Sequence, residues 1–337
     1  MKALALFSGG LDSLLAIKLI QETGVDVEAV HFLLPFLDEE AEQKVRAKLT
    51  DLAGQLNVPV HFVRLGEDYL RMLEKPKYGY GKGMNPCLDC HIFFLNKAKE
   101  LLATLGASFL VTGEVVGQRP KSQHAGAFPK IDEDTGLAGW IVRPLSAGLL
   151  PKTIPEEKGW ISLDHCPTIQ GRQRHVQMEL AHRYGLHFQP PAGGCQLTNK
   201  EFGRKVADLL QNEGKLQTAP MTLLSIGRHF RLPGGLKLVV GRDAKENWKL
   251  TRYFLRHRKD QNLLLIKVGR IPGPVALGLG ASDDNDAILA ARITARYCDL
   301  SSGAKVSARV LSSAECDLTP PILVDKHSGF EQSYRVG

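Results

Sequence analysis

The chain has 337 residues, of which 43% are apolar and 23% are charged, and its formal net charge is +7. This length gives room for two domains, and the composition is typical of a globular protein rather than a disordered or fibrous one. No apolar run approaches the ~20 residues that span a bilayer. The first strand follows Met1 directly, so we expect a cytoplasmic protein with no signal peptide and no membrane partner.

Short apolar runs alternate with helical patterns through the first part of the chain. Strands are predicted at 2–7, 27–34, 58–65, 108–114 and 140–145. Helices are predicted at 13–22, 38–56, 67–74, 91–105 and 171–185, with a loop over 115–140. This alternation is typical of a parallel sheet with helices on both faces. We therefore predict an α/β fold with a doubly wound parallel sheet.

The pattern changes near residue 216. Short β-type runs follow, separated by Pro-Gly-Gly and Gly-Arg-Asp, and a helix is predicted at 285–300. We therefore predict a catalytic domain over 1–215 and a second, smaller α+β domain over 216–337. Residues 221–270 hold twelve Lys and Arg against three Asp and Glu. Such a concentration of positive charge favours a surface that binds a polyanion.

A bare glycine turn, SGGLDS over residues 8–13, joins the first strand to the first helix. Glycine lets the backbone approach a ligand closely, and a helix start offers unpaired N–H groups to phosphate. The turn lacks the lysine of a Walker A loop and the spacing of the dinucleotide fingerprint. The sequence therefore predicts a phosphate site of a different kind.

The S-G-G-x-D-S turn resembles the loop of the ATP pyrophosphatases, the PP-loop or adenine-nucleotide α-hydrolase-like enzymes of the HUP type. The resemblance implies that attack falls on the α-phosphate of ATP and that pyrophosphate leaves. Asp12 would then be catalytic, holding Mg²⁺ or orienting the reacting groups. The ATP-binding residues implied are Ser8, Gly9, Gly10, Asp12, Ser13 and Gly113.

Six cysteines are too few for a disulfide framework in a chain of this size. Cys87 and Cys90 form a C-x-x-C, which in a reducing compartment indicates metal or sulfur chemistry. Cys195 follows a Pro-Pro-Ala-Gly-Gly turn. We expect the remaining cysteines to be buried small apolar residues, namely Cys166, Cys298 and Cys316.

The segment NPCLDC (85–90) resembles the first catalytic cysteine segment of the 2-thiouridylases and the C-x-x-C of iron–sulfur tRNA thiolases. FLVTGEVVGQRPKSQ (109–123) and WIVRPL (140–145) resemble segments of the 4-thiouridine synthetases. These resemblances imply a tRNA sulfurtransferase that adenylates a uridine carbonyl with ATP and replaces its oxygen by sulfur from a sulfide or persulfide carrier. Cys87 and Cys195 would be catalytic, and Cys87, Cys90 and Cys195 would hold a [4Fe–4S] cluster with an open iron.

Several alternatives remain open from the sequence. Cys87 and Cys195 could form a persulfide relay without a cluster, and the C-x-x-C could belong to a structural zinc site. The same ATP loop also serves ligases that need no cysteine. A non-catalytic RNA-binding factor of ribosome quality control is the fourth reading.

The basic segment over about 222–311, with VVGRDAKEN (239–247) as its most specific part, resembles the NFACT-R domain, and this implies RNA binding. Interleaved aromatic side chains could stack on unpaired bases, namely His229, Phe230, Trp248 and Tyr253. The phosphate-binding residues predicted here are Arg228, Arg231, Arg242, Lys245, Lys249 and Arg252, with Arg256 and Arg258 beside them.

Overall fold

The computed structural model describes residues 1–188, 195–269, 272–280, 283–299, 305–313, 322–325 and 330–337. Cys316 and the turn that precedes Cys195 lie outside the described residues. The chain forms two compact units, Met1–Gln196 and Leu197–Gly337. Each unit has its own apolar core. None of the described helices is both long and apolar enough to cross a membrane.

Five strands form the sheet of the first unit: Lys2–Leu6 (β1), Asp26–Leu33 (β2), Val60–Arg64 (β3), Phe109–Val111 (β4) and Ile141–Val142 (β5). They lie in the order β3-β2-β1-β4-β5, and every pair is parallel. The predicted parallel α/β fold is confirmed. The order reverses between β1 and β4, and ligands bind such sheets at the carboxyl ends of the strands beside this reversal.

Seven helices accompany this sheet: Leu11–Gln21 (α1), Glu39–Gly54 (α2), Glu67–Glu74 (α3), Cys87–Leu105 (α4), Ala127–Thr135 (α5), Ile154–Glu157 (α6) and His175–Arg183 (α7). The first helix is apolar on most sides, and Leu14, Ile17 and Ile20 are fully buried. A helix that is apolar nearly all round packs inside the domain rather than on its surface. The start of α1, at the glycine turn, is therefore held firmly by the core.

Two elements differ from the sequence-based prediction. The helix predicted at 91–105 begins at Cys87, so that both cysteines of the C-x-x-C lie in its first turn. Asp89 is also in that turn, where a carboxylate is favoured by the helix dipole. The predicted loop 115–140 contains the helix α5. Pro129 does not prevent this helix, because it lies in the first turn, where the missing N–H of proline costs no hydrogen bond.

Among its described residues, the second unit has seven strands: Arg228–Arg231 (β6), Lys237–Val240 (β7), Leu263–Val268 (β8), Val275–Leu279 (β9), Lys305–Ser312 (β10), Ile322–Asp325 (β11) and Arg335–Val336 (β12). They form an antiparallel sheet in the order β11-β10-β8-β9-β7-β6-β12. Its helices are Lys200–Glu213 (α8), Thr218–Leu223 (α9), Ala244–His257 (α10) and Asp284–Arg296 (α11). The second unit is thus α+β, as predicted.

Helix α8 belongs to the second unit, whereas the sequence suggests a boundary after it, at 215/216. Asp208 of α8 accepts a hydrogen bond of 2.9 Å from Nη2 of Arg231 and pairs with Nζ of Lys237. Lys237 is only 2% exposed. A buried ammonium group needs such a partner, so these ion pairs tie α8 to strands β6 and β7.

Candidate functional site

The glycine turn follows β1 and lies at the point where the strand order reverses. Ser13 Oγ donates to the Gly10 carbonyl over 2.8 Å, and Gly10 N donates to Ser8 Oγ over 3.3 Å. Gly9 has a φ of +74°, a conformation that favours glycine. These contacts curl the turn over the start of α1, where backbone N–H groups lack helical partners. The turn is shaped to bind phosphate oxygens.

Asp12 in the first turn of α1 presents a carboxylate to the same place. Its Oδ2 accepts from Gln118 Nε2 at 3.1 Å and lies 3.5 Å from Nη2 of Arg174. Its Oδ1 is buried and has no hydrogen-bond partner among the described residues. A buried oxygen of this kind costs free energy unless a ligand satisfies it. Carboxylate oxygens suit Mg²⁺, so this atom fits the predicted metal.

Gly113 follows β4 and packs directly on the glycine turn. A Cβ atom at this position would lie 2.6 Å from the backbone C and O of Asp12 and from the backbone N of Ser13. No side chain fits there without displacing the backbone of α1. The predicted ATP-binding residues Ser8, Gly9, Gly10, Asp12, Ser13 and Gly113 are therefore brought together at one place.

A cavity of about 290 Å³ opens at this end of the sheet. The glycine turn forms one side of it, and side chains of α4 and of the segment after β4 form another. The polar lining includes Ser8, Asp12, Ser13, His31, His91, Glu114, Gln118, Arg119, Gln123 and Arg174. The volume is in the range of small-molecule sites.

Cys87 lies in a hydrogen-bonded network next to this cavity. Its Sγ is 3.1 Å from Ser122 Oγ, which in turn is 3.4 Å from Nε2 of His91. Although burial raises the pKa of Cys87, its hydrogen bonds to His91 and Ser122 hold it below the usual value. The thiolate is the nucleophilic form of cysteine. Cys87 is therefore the activated cysteine of the C-x-x-C.

A buried chain of charges supports His91. Its Nδ1 is 2.8 Å from Oε1 of Glu114, whose Oε2 accepts from Nε of Arg143 over 2.9 Å. Burial disfavours charge on His91, but hydrogen bonds to Cys87 and Glu114 raise its pKa to about 9. Burial likewise raises the pKa of Glu114, and the charge of Arg143 outweighs this and lowers it to about 2. At neutral pH the chain is therefore an imidazolium and a carboxylate, placed beside a thiol whose pKa is lowered.

Cys90 has a different environment from Cys87. It is 7% exposed, and its Sγ is 3.3 Å from the hydroxyl of Tyr69. Burial and the charges of Cys195 and Cys87 raise the pKa of Cys90 to about 12. The three cysteines therefore lie close enough for the charge of one to affect the pKa of another. With its raised pKa, Cys90 is a neutral thiol at neutral pH.

The predicted cluster site is not formed by these residues as they stand. Among the residues that the structure describes, no group of three or more His, Cys, Asp or Glu side chains is arranged to hold a metal ion. Cys87 points to Ser122 and Cys90 to Tyr69. Each of these two thiols thus has a protein partner of its own, and the three-cysteine ligand set stays a prediction.

The segment after β4 contributes site residues that the sequence did not single out. Gln118 contacts Asp12, and four residues later Ser122 contacts Cys87. Glu114 was missed as well, and no catalytic role was predicted for His91. The signal for His91 was its position four residues after Cys87, because residues at i and i+4 lie on one face of a helix. Glu114 and Arg143 are far apart in the sequence, and only the sheet brings them together.

The predicted RNA-binding residues lie in two kinds of environment. Lys245, Lys249 and Arg252 belong to α10. Arg231 is held in ion pairs with Asp208 and Glu213, Arg242 pairs with Glu246, and Arg228 lies over the ring of Tyr297. Of the four predicted stacking residues, His229, Phe230 and Tyr253 are buried, while Trp248 is 58% exposed.

We expect the thiol of Cys87 to react with iodoacetamide at about pH 7 faster than that of Cys166, whose pKa burial raises to about 12. In His91→Asn the imidazolium is lost and the Cys87 pKa rises, so its rate at about pH 7 falls several-fold. At about pH 10 the wild-type and variant rates converge, because His91, with a pKa of about 9, is then largely neutral in the wild type as well. Mass spectrometry of the alkylated peptides measures each rate, and equal rates at neutral pH would contradict the activation.

Comparison with known proteins yields two family matches. Residues 1–147 match the model described as thiamine biosynthesis protein (ThiI), and residues 227–318 match the NFACT protein RNA-binding domain. Both resemblances predicted from the sequence are confirmed.

Individual relatives match over the first part of the chain. A probable tRNA sulfurtransferase of Methanothermobacter thermautotrophicus is 36% identical over 118 residues, which are 35% of this chain and 30% of that protein. The tRNA-specific 2-thiouridylase MnmA of Nitratidesulfovibrio vulgaris is 32% identical over 150 residues, 41% of this chain and 43% of that protein. The chain thus spans less than half the length of these relatives.

Solved structures match more loosely. A 4-thiouridine synthetase–RNA complex with bound ATP has a TM-score of 0.35 at 23% identity, covering 54% of this chain and 50% of that one. The U34-tRNA thiolase NcsA of Methanococcus maripaludis, with its [4Fe-4S] cluster, has a TM-score of 0.34 at 16% identity, covering 66% and 70%. By the two family matches, residues 1–147 are similar to the ThiI family and residues 227–318 are similar to the RNA-binding domain of NFACT proteins.

Proposed function

We propose that this protein is a cytoplasmic, ATP-dependent tRNA sulfurtransferase. The observation that carries the proposal is the loop after β4, which contacts Asp12 of the ATP site through Gln118 and Cys87 through Ser122. A uridine activated by ATP in this cavity would lie beside a sulfur nucleophile. The family match and the activities for which the relatives are named support the same activity.

The first step activates the uridine. Backbone N–H groups at the start of α1, with Ser8 and Ser13, would hold the β- and γ-phosphates of ATP. The uridine carbonyl oxygen attacks the α-phosphorus, pyrophosphate leaves, and the base carries AMP on its oxygen. Asp12 would hold Mg²⁺ through its unpartnered Oδ1, and the ion would neutralise phosphate charge.

The second step replaces oxygen by sulfur. The Cys87 thiolate accepts a sulfane sulfur from a persulfide carrier, and the terminal sulfur attacks the activated carbon so that AMP leaves. The Cys195 thiolate then attacks Sγ of Cys87, which cleaves the persulfide bond and leaves the sulfur on the base. The resulting Cys87–Cys195 disulfide is reduced by a thiol reductant before the next turnover. None of the five described cysteines is in a disulfide, as this cycle requires at its start.

The cluster route predicted from the sequence uses the same cysteines. The two routes differ at Cys90, which a three-cysteine cluster needs and the persulfide relay does not. With the relay, Cys90→Ser retains sulfur transfer, and protein purified without oxygen contains no iron. About four irons per chain, lost in Cys90→Ser together with activity, would replace the relay by the cluster.

The proposed activity is tested with purified protein, ATP, Mg²⁺, tRNA and a persulfide donor. We expect pyrophosphate and AMP in equal amounts and a thiolated uridine in the digested tRNA, measured by mass spectrometry. ATP binding without pyrophosphate release would favour an RNA-binding factor instead. Pyrophosphate release by the wild type with no sulfur in its tRNA, at a turnover rate that Cys195→Ser leaves unchanged, would favour a ligase.

A further inference from the structure

The exposed face of α10 carries an aromatic residue among basic ones. Trp248 is 58% exposed, and among the residues whose burial the structure describes it is the one exposed Phe, Tyr or Trp side chain. Lys245, Arg252 and Arg256 are also exposed, three residues before Trp248 and four and eight residues after it. Residues at these spacings share one side of a helix. The opposite side, with Leu250, Tyr253 and Phe254, is buried.

The indole of Trp248 is held in one orientation by a neighbouring side chain. The guanidinium carbon of Arg252 lies 5.1 Å from its ring centroid, at the distance of a cation–π contact. Asn247 fixes the helix on the sheet, because its Oδ1 accepts from Val275 N over 2.9 Å. A large, pre-positioned and exposed indole costs little conformational entropy when a flat partner stacks on it.

Charge decides the kind of partner. The acidic residues near this face are engaged at the helix start, where Asp243 caps α10 and Glu246 pairs with Arg242. Lys245, Arg252 and Arg256 place three positive charges on the same face as the indole. Phosphates spaced along a strand and bases with exposed faces match a basic surface with an aromatic platform.

We propose that the exposed face of α10 binds a single-stranded segment of RNA, with Trp248 stacking on an unpaired base and Lys245, Arg252 and Arg256 contacting phosphates. This inference deepens the RNA partner of the proposed function and rests on it. It assigns the recognition of unpaired nucleotides to one residue of the second unit. A fully paired duplex offers no free base face, so it would use the cations alone.

The experiment measures binding of the full chain to two fluorescein-labelled RNAs by anisotropy, a hairpin with a single-stranded 3′ extension and a blunt duplex of the same charge. Stacking on one base is worth about 1–3 kcal/mol, so Trp248→Ala should weaken binding to the extended hairpin about 5- to 150-fold. Duplex binding should change less than about twofold, and Trp248→Phe should recover most of the loss. Leu323→Ala, an equally exposed apolar residue on β11, is the matched control.

The outcomes separate this inference from the proposed function. If Trp248→Ala binds the extended hairpin as tightly as the wild type does, or loses affinity equally for both RNAs, the stacking role of Trp248 is overturned. The proposal that RNA is the partner would still stand. No RNA binding by the wild type would overturn both. The inference would also be overturned if Trp248→Ala weakened binding to phosphatidylserine vesicles but not binding to RNA. The surface would then be assigned to a membrane. Circular dichroism verifies the fold of each variant.

Discussion

Gly113→Ala is expected to lower ATP-dependent pyrophosphate release by at least about 100-fold, because an ångström of misplacement at a reacting centre costs this much. The added Cβ would lie 2.6 Å from backbone atoms of Asp12 and Ser13. A Cβ atom cannot lie this close to backbone atoms, so the start of α1 must shift. The shift moves the phosphate-binding turn and the carboxylate of Asp12 together. Pyrophosphate release in the presence of tRNA and ATP measures the effect.

Gly54→Ala is the matched control for this substitution. Gly54 is the last residue of α2, and a Cβ there meets no atom within 4 Å. We expect unchanged activity and a small gain in stability, since alanine restricts the unfolded chain more than glycine does. Normal activity in a folded Gly113→Ala protein would show that the turn after β4 does not hold the ATP site.

The first unit was predictable because its signals are local. Apolar runs of five to eight residues alternate with helical patterns, and the turn at residues 8–13 joins two of them. A parallel sheet then places this turn at the edge where ligands bind. Cys87 was predictable as a site residue for the same reason, because a C-x-x-C is visible in the sequence without any knowledge of the fold.

The network around Cys87 could not be predicted in the same way. His91 pairs with Glu114, which is 23 residues later, and Glu114 pairs with Arg143, which is 29 residues beyond it. These charges meet only because β4 and β5 are neighbours in the sheet. The ion pairs of Asp208 with Arg231 and Lys237 are hidden from local patterns for the same reason. They also explain why Arg231, counted as a surface cation from the sequence, lies within a buried network.

Cys87→Ser is expected to reduce sulfur transfer to tRNA by on the order of 10³-fold or more, since a nucleophile that carries the sulfur has no substitute. A serine hydroxyl keeps the hydrogen-bonding position beside Ser122 but cannot form a persulfide. The ATP site is built from other residues, so pyrophosphate release should remain. The readout is the ratio of thiolated uridine to pyrophosphate, which is near one in the wild type and near zero in the variant.

Cys166→Ser is the matched control, because Cys166 is partly exposed and burial raises the pKa of its thiol to about 12. This variant should keep the wild-type ratio. Equal loss of thiolation and pyrophosphate release in Cys87→Ser would mean that Cys87 acts in uridine activation rather than after it. Unchanged thiolation in Cys87→Ser would remove Cys87 from the chemistry altogether. The hydrogen bonds to Ser122 and His91 would then be part of the packing of α4 against the segment after β4, and the sulfur would have to come from Cys195 or directly from the donor.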